Sequence, residues 1–354
     1  MALKVISMPN SARERPQSAV QKKSLLGTLV RAVVSVALAG FVYLTVDRKG
    51  LFHALRAVSL HGVLLILVLY TIGQILSALK WRIFVRSAGI ERSLVQMLRA
   101  YFFGMFVNVI GFGTVGGDVA RGLLLMPAKG QRAAALATVV ADRVHGLGIL
   151  LSIGTIAILV VSPSALSAIN IFLALGGIAG VICVASVWWF GPPLVTKLFP
   201  SGHNWSAAMI RVAHAFPRTP KPFCAATLIS ILFHSVQLFM HVIIARLLGA
   251  HLPVSYIFAT VPFVNIVASL PISLFNGLGV RESMYCILFI PAGIPKEVAV
   301  AFGAIWLFNV TLVSSLGILF LTPDMKKVIR REHDAEAGLA LEDGTSSPPE
   351  RALG

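Results

Sequence analysis

Two arginines sit where they could hold a phosphate. Arg121 follows Gly116-Gly117-Asp118, and Arg281 follows Gly277-Leu278-Gly279. A guanidinium presents a planar fork of donors that fits phosphate in a bidentate way. A half-helix starting at such glycines adds exposed N–H groups and the positive end of its dipole. Gly116, Gly117, Gly277 and Gly279 would let an anionic head group approach the backbone closely. Each arginine also has an acid beside it, Asp118 or Glu282. The alternative is therefore that each arginine pairs with its neighbour and pins the local backbone. The same two acids could instead exchange a proton or ion. Asn108 and Asn265 stand at matched positions ahead of the glycines; as amides they either line a site or satisfy broken backbone.

Asp142-Arg143, with His145, lies inside the apolar stretch Ala133–Val161. One reading places this pair at the mouth of a cavity. The other starts the helix outside the membrane, with Arg143 snorkelling and Val144–Val161 spanning. Lys80-Trp81-Arg82 reads as an interfacial anchor, and Gly176 with Gly180 as a close-packing GxxxG pair. Cys183, Cys224 and Cys286 are each alone in apolar stretches, and histidines 203, 214, 234 and 241 have no ligand spacing. Neither a metal site nor a disulfide is expected. There is no Walker A pattern and no clustered nucleophile and base, so no ATP site, cofactor or catalytic residue is expected.

The elements that must carry these residues are membrane spans. Of the 354 residues 57% are hydrophobic and 12% charged, with a mean hydropathy of +0.85; a soluble domain carries about a quarter charged residues. The net charge of +16 could suggest nucleic acid, but the basic residues lie between apolar segments, so no nucleic-acid partner is expected. Six runs are long enough to cross about 30 Å of hydrocarbon: Leu25–Val46, Leu60–Leu79, Ala133–Val161, Ile169–Phe190, Phe223–Leu248 and Val298–Leu321. Leu25–Val46 reads as an uncleaved anchor, the competing reading being a signal peptide ending near Ala37-Leu38-Ala39. Two further runs, Leu98–Met126 and Val254–Pro291, are broken by Gly111–Asp118 and Leu270–Gly279. Broken backbone at membrane depth needs protein or a water-filled cavity around it, which predicts two re-entrant hairpins. The expected fold is an all-α polytopic integral membrane protein with about six full spans plus two hairpins, or alternatively about eight spans. Residues 1–24 are expected to form a cytoplasmic basic tail and 322–354 a disordered cytoplasmic tail, flanking one transmembrane domain over 25–321.

Charge supports the hairpins. With both termini cytoplasmic and both broken runs returning to their own side, 22 basic residues face the cytoplasm and six the opposite side, as the positive-inside rule asks. The two broken runs also resemble each other. Phe106-Val107-Asn108-Val109 precedes Gly116-Gly117-Asp118 and Arg121; Phe263-Val264-Asn265-Ile266 precedes Gly277-Leu278-Gly279 and Arg281-Glu282. Each half, 25–161 and 169–321, orders its parts as span, span, hairpin, span. Three crossings is an odd number, so the second half is inverted relative to the first. Inverted repeats with interrupted helices mark secondary-transporter architecture, with the site near the midplane.

On Gly116-Gly117-Asp118-Val-Ala-Arg121, on Ala137-Thr-Val-Val-Ala-Asp142-Arg143-Val-His-Gly146-Leu, and on Leu270-Pro271 through Gly277-Leu-Gly279-Val-Arg281-Glu282, the chain resembles the transmembrane region of lysylphosphatidylglycerol synthases, also called flippase-like membrane proteins. The resemblance runs from about Leu25 to Leu321. It implies a bacterial cytoplasmic-membrane protein that moves a lipid or lipid-linked head group between leaflets. Full-length synthases carry a soluble aminoacyl-transfer domain after this region, whereas this sequence stops about 30 residues after its last span, so synthase activity is not carried over. The expected partners are membrane lipids with anionic head groups. The alternatives are a non-catalytic partner of a lipid- or envelope-assembly system and an intramembrane lipid-modifying enzyme with Asp118 or Asp142 as base.

Overall fold

A computed structural model describes residues 33, 36–42, 44–109, 113–125, 131–198, 213, 215–270 and 277–320. Both polar tails, half of the Leu25–Val46 run, His203, His214 and the segment 271–276 lie outside the described residues. The described residues are helical, with no strand among them. In hydrocarbon every backbone N–H and C=O must be satisfied within the segment, which selects helices for so apolar a chain.

Ten α-helices are described. They are α1 (Arg48–Arg56), α2 (Leu60–Ser87), α3 (Leu94–Val107), α4 (Gly113–Leu124), α5 (Arg132–Val161), α6 (Ser167–Leu198), α7 (Pro220–Leu247), α8 (Val254–Ser269), α9 (Val280–Phe289) and α10 (Lys296–Ser315), the last continued by a 3-10 turn over Leu316–Phe320. Five are long and apolar enough to cross a membrane: α2, α5, the Ile169–Leu194 part of α6, α7, and α10 with its extension. They correspond to five of the six expected full spans. Starts are fixed locally. Ser59 accepts from the Gly62 N–H to cap α2, and Ser93 and Gln96 form a reciprocal capping box on α3.

The two glycine-broken runs are helical hairpins. The arms α3 and α4 have 14 and 12 residues, and α8 and α9 have 16 and 10. At 1.5 Å per residue none exceeds about 24 Å, short of a crossing. The first hairpin closes tightly: a Cβ on Gly117 would lie 2.0 Å from the Gly104 carbonyl oxygen and 2.3 Å from Asn108 Oδ1. In the second, Gly277 and Gly279 have φ of 91° and 81°, where a side chain is strained.

The halves interlock by exchange. Helix α2 packs along α7, the matching span of the other half. Helix α5 packs on α8 of the second hairpin, while α10 and its 3-10 turn pack on α3 of the first. Helix α6 lies on α5, and Val42 and Val46 from the first run lie on Val300 of α10. These are the pairings that a two-fold exchange of the halves would produce. Of the GxxxG pair, Gly180 packs closely on Leu151 of α5 as expected, while Gly176 has open space around it and Gly177, against Thr155, makes the other close approach.

Candidate functional site

Five charged side chains from three elements alternate in one chain. On α5, Asp142 places Oδ1 3.0 Å from Lys80 Nζ of α2 and Oδ2 3.1 Å from Arg121 Nη2 of α4. Lys80 also donates to the Asp142 carbonyl at 3.2 Å. Arg121 Nε donates to Asp118 Oδ1 at 3.1 Å. Asp118 is in turn gripped by the Arg143 fork, Nε to Oδ2 at 2.8 Å and Nη2 to Oδ1 at 2.9 Å. Three cations thus hold two carboxylates. Lys80, Arg121 and Asp142 are buried, while the Arg143 side chain is 52% exposed.

Aromatic and polar groups brace this cluster. The Arg121 guanidinium stands 4.8 Å from the Trp81 ring centre and 5.2 Å from that of Tyr101, distances at which cation and ring attract. Trp81 Nε1 donates to Thr138 Oγ1 at 3.1 Å, and the Tyr101 hydroxyl donates to Ser77 Oγ at 2.8 Å. Asn108 Oδ1 accepts from the Gly117 N–H at 2.9 Å, satisfying the broken backbone.

The second hairpin is built differently. Arg281 Nη1 donates to Asn265 Oδ1 at 2.5 Å, and its guanidinium lies 3.4 Å from the centre of the Trp306 ring. Glu282 does not pair with it. Its Oε2 accepts from the Gly279 N–H at 2.6 Å and its stem packs on Gly303 of α10, so it is the N-terminal cap of α9. Among the described residues no carboxylate lies within ion-pair reach of Arg281, and its Nε is buried without a hydrogen-bond partner, as is Gln237 Nε2. Asn108 and Asn265 therefore share a sequence position but not a job.

Both constellations open on one cavity of about 490 Å³. Asn108, Asp118, Asp142 and Arg143 come to it from the first half, Asn265 and Arg281 from the second, with Tyr70, Gln74, Lys80, His234 and Gln237 between them. Among the described residues Arg121, Glu282 and the four glycines are not in its wall. Arg121 lies behind it, held by two acids, and Gly117 packs on Gly104 and Asn108 instead of facing the space. The cavity sits at mid-helix. The midpoints of α2, α5 and α7 fall at Gly73–Gln74, Gly146–Leu147 and Phe233–His234, and Gln74, Gly146, Leu147, Phe233 and His234 all line it. Arg143 is only about 5 Å along α5 from that midpoint, so the pair Asp142-Arg143 is at the centre of a 30-residue helix and not at its end.

Lys80 overturns the interfacial-anchor reading of Lys80-Trp81-Arg82. Helix α2 runs on to Ser87, and Lys80 and Trp81 are buried at 3% and 0% exposure. Lys80, Tyr101, Gln237 and Trp306 were not singled out as site residues. The only sequence signal for Lys80 was its opposite sign to Asp142 in another span. Taking the buried Lys80 and Arg121 from the 22 cations expected on the cytoplasmic side and Arg281 from the six expected opposite leaves 20 against five, so the expected charge bias persists. His234 meets the Gly146 carbonyl at 3.0 Å and His241 the Tyr285 hydroxyl at 3.0 Å; no group of three metal-binding side chains occurs among the described residues.

Residues 28–317 match the family described as the lysylphosphatidylglycerol synthase TM region. A stretch of 85 residues is 31% identical to a UPF0104 membrane protein from Pyrococcus horikoshii. That match covers 23% of this chain and 25% of the relative.

Proposed function

This chain belongs to the family of lysylphosphatidylglycerol synthase transmembrane regions, and from that premise we propose that it is a lipid translocator, moving an anionic phospholipid or lipid-linked head group between leaflets. The observation that carries the reading is the mid-helix cavity that both hairpins line and to which α2, α5 and the second hairpin bring the cations Lys80, Arg143 and Arg281. Lys80 and Arg143 are balanced there by Asp118 and Asp142, whereas among the described residues Arg281 has no carboxylate, so the described wall has a surplus of positive charge. An uncompensated cation within a span is expensive and points to a bound anion. Arg281 and the unpartnered Gln237 amide are the donors we assign to the head group; Arg143, half-exposed, is the third. Rocking of the two interlocked halves about this site would alternate access.

Transport fits better than catalysis because both cavity carboxylates are already engaged by cations, which leaves neither as an unencumbered base. The proposal includes a bacterial cytoplasmic membrane with the basic loops inside, on the charge bias above. The test is leaflet exchange of fluorescent anionic and zwitterionic lipids in liposomes holding the purified protein. Wild type should exchange the anionic lipid faster than empty vesicles, and Arg281→Ala should slow it by about tenfold, the effect of losing one charged hydrogen-bond donor. Exchange equal to empty vesicles for every lipid would remove the proposal.

A further inference from the structure

A lipid whose head group sits in the cavity must send its acyl chains out between helices. Two seams bound the cavity as counterparts under the exchange of halves: α2 with α10, and α5 with α7. The α5–α7 seam is latched by polar contacts. His234 Nε2 meets the Gly146 carbonyl at 3.0 Å, and His145 Nε2 meets Thr227 Oγ1 at 3.1 Å. An aromatic cluster of His145, Phe223 and Trp188 fills in beside them. Among the described residues no hydrogen bond or ion pair crosses the α2–α10 seam.

That unlatched seam carries a second cavity. It is an apolar groove of about 460 Å³ lined chiefly by Leu67, Val68, Thr71, Ile72, Leu312 and Leu316. It holds no titratable side chain, and the Thr71 hydroxyl is bonded back to the Leu67 carbonyl at 2.8 Å, so nothing polar finds a partner there. The same two helices present Tyr70, Gln74 and Ser77, and Val310 and Ser314, to the cation-lined cavity. Gln74 is three residues beyond Thr71, about 4.5 Å along the axis. Polar cavity and apolar groove are therefore adjoining faces of one helix pair. Exposed apolar surface is ordinary on a membrane protein, and α6 has more of it; what sets this groove apart is its place beside the head-group cavity, at the seam that, of the two and among the described residues, has no latch.

We infer that this groove holds an acyl chain of the same lipid whose head group occupies the cavity, so that the lipid straddles the α2–α10 seam and leaves through it. The inference rests on the head-group site proposed above. It makes the substrate an amphiphile bound at both ends, and the α2–α10 seam the lateral gate.

The test uses the full chain in vesicles of zwitterionic phospholipid containing a minor fraction of an anionic phospholipid with a diazirine in mid-chain. After illumination, adducts are mapped by peptide mass spectrometry, and leaflet exchange is followed in the same vesicles. We expect adducts at 67–72 and 312–316 above those on exposed α6 positions such as Phe172 and Leu175. In Arg281→Ala the groove adducts should fall by about tenfold while α6 labelling is unchanged. A second variant, Val68→Trp with Leu312→Trp, fills the groove and leaves the cavity residues in place; it should abolish the groove adducts and slow exchange, yet still bind glycerol phosphate from solution as wild type does. Groove labelling equal in wild type and Arg281→Ala means bulk lipid only and overturns the inference, as does unimpaired exchange in the groove-filling variant. Labelling that follows Arg281 without any leaflet exchange keeps the groove assignment and removes the translocator.

Discussion

Replacing Asp142 by Asn tests the buried ion cluster most directly. The substitution keeps shape and removes the charge that bridges Lys80 of α2 at 3.0 Å and Arg121 of α4 at 3.1 Å. At an effective dielectric near 20, each contact amounts to about 5.5 kcal/mol of Coulomb attraction. Desolvation of the ions opposes much of this, and one-sided removal of a buried partner is measured at about 3–5 kcal/mol. Here Lys80 is left without a carboxylate and Arg121 keeps only Asp118, and both cations are about 3% exposed. The expected loss is therefore at the upper end, about 4–5 kcal/mol. Removing the stranded cation as well should help: Lys80→Met added to Asp142→Asn should recover roughly 1–3 kcal/mol. The assay is reversible unfolding in mixed micelles titrated with sodium dodecyl sulfate, read by tryptophan fluorescence, since Trp81 lies against Arg121. A loss below about 1 kcal/mol for Asp142→Asn, the scale of an exposed pair, or a double variant less stable than the single, would refute the cluster as drawn.

Four further outcomes follow. Arg143→Ala breaks a bidentate but half-exposed pair, so it should change stability by no more than about 1 kcal/mol while slowing lipid exchange; a fall in stability with normal exchange would reverse its role. Gly117→Ala should destabilise by about 3 kcal/mol or more because its Cβ would meet the Gly104 carbonyl at 2.0 Å, whereas Gly176→Ala, with nothing within 4 Å, should be neutral or slightly stabilising; the same micelle titration compares them. Glu282→Ala removes the cap on the Gly279 N–H and should cost about 1–2 kcal/mol. Arg281→Ala should then show the opposite pattern, slow exchange with a smaller loss of stability than Asp142→Asn, because it strands no buried carboxylate.

The hairpins were legible because they are a backbone matter: glycine density ends helices whatever surrounds them, and both broken runs fold as pairs of short arms. The spans were legible for the same reason, hydropathy being a local property. Helix α2 was cut short at Leu79 because hydropathy stops at the first charge, while the helix continues to Ser87. The residue that lets Lys80 stay inside is Asp142, 62 positions away, and no local pattern encodes that. Glu282 is the opposite case. Its spacing of three from Gly279 is that of a capping box and could have been read, but its adjacency to Arg281 suggested an ion pair. Adjacent residues on a helix point about 100° apart and do not face each other. The same geometry separates Asp142, aimed at Lys80 and Arg121, from Arg143, aimed at Asp118.

The two halves share a tetrad, a glycine break and an arginine, yet they have divided the work. In the first, Asn108 holds backbone and Arg121 is held by Asp118 and Asp142, so the matched arginine serves as a clamp among α2, α4 and α5. In the second, Asn265 holds Arg281 itself, and Trp306 supports the guanidinium from one side. Neither partner carries a charge that would neutralise it. A perfectly symmetric pair of arginines would either lock both hairpins or leave two uncompensated cations in one apolar setting, and the second choice is costly at this depth. Clamping one and freeing the other ties the first hairpin to α2 and α5 while leaving one cation for the head group of the proposed translocation. This predicts a directional swap. Supplying an acid near Arg281, as in Asn265→Asp, should stabilise the fold and at the same time depress anionic-lipid exchange, because the internal carboxylate would compete with the head group. If Asn265→Asp exchanged lipid as fast as wild type, Arg281 would not be the anion's anchor and the division of labour between the halves would fall.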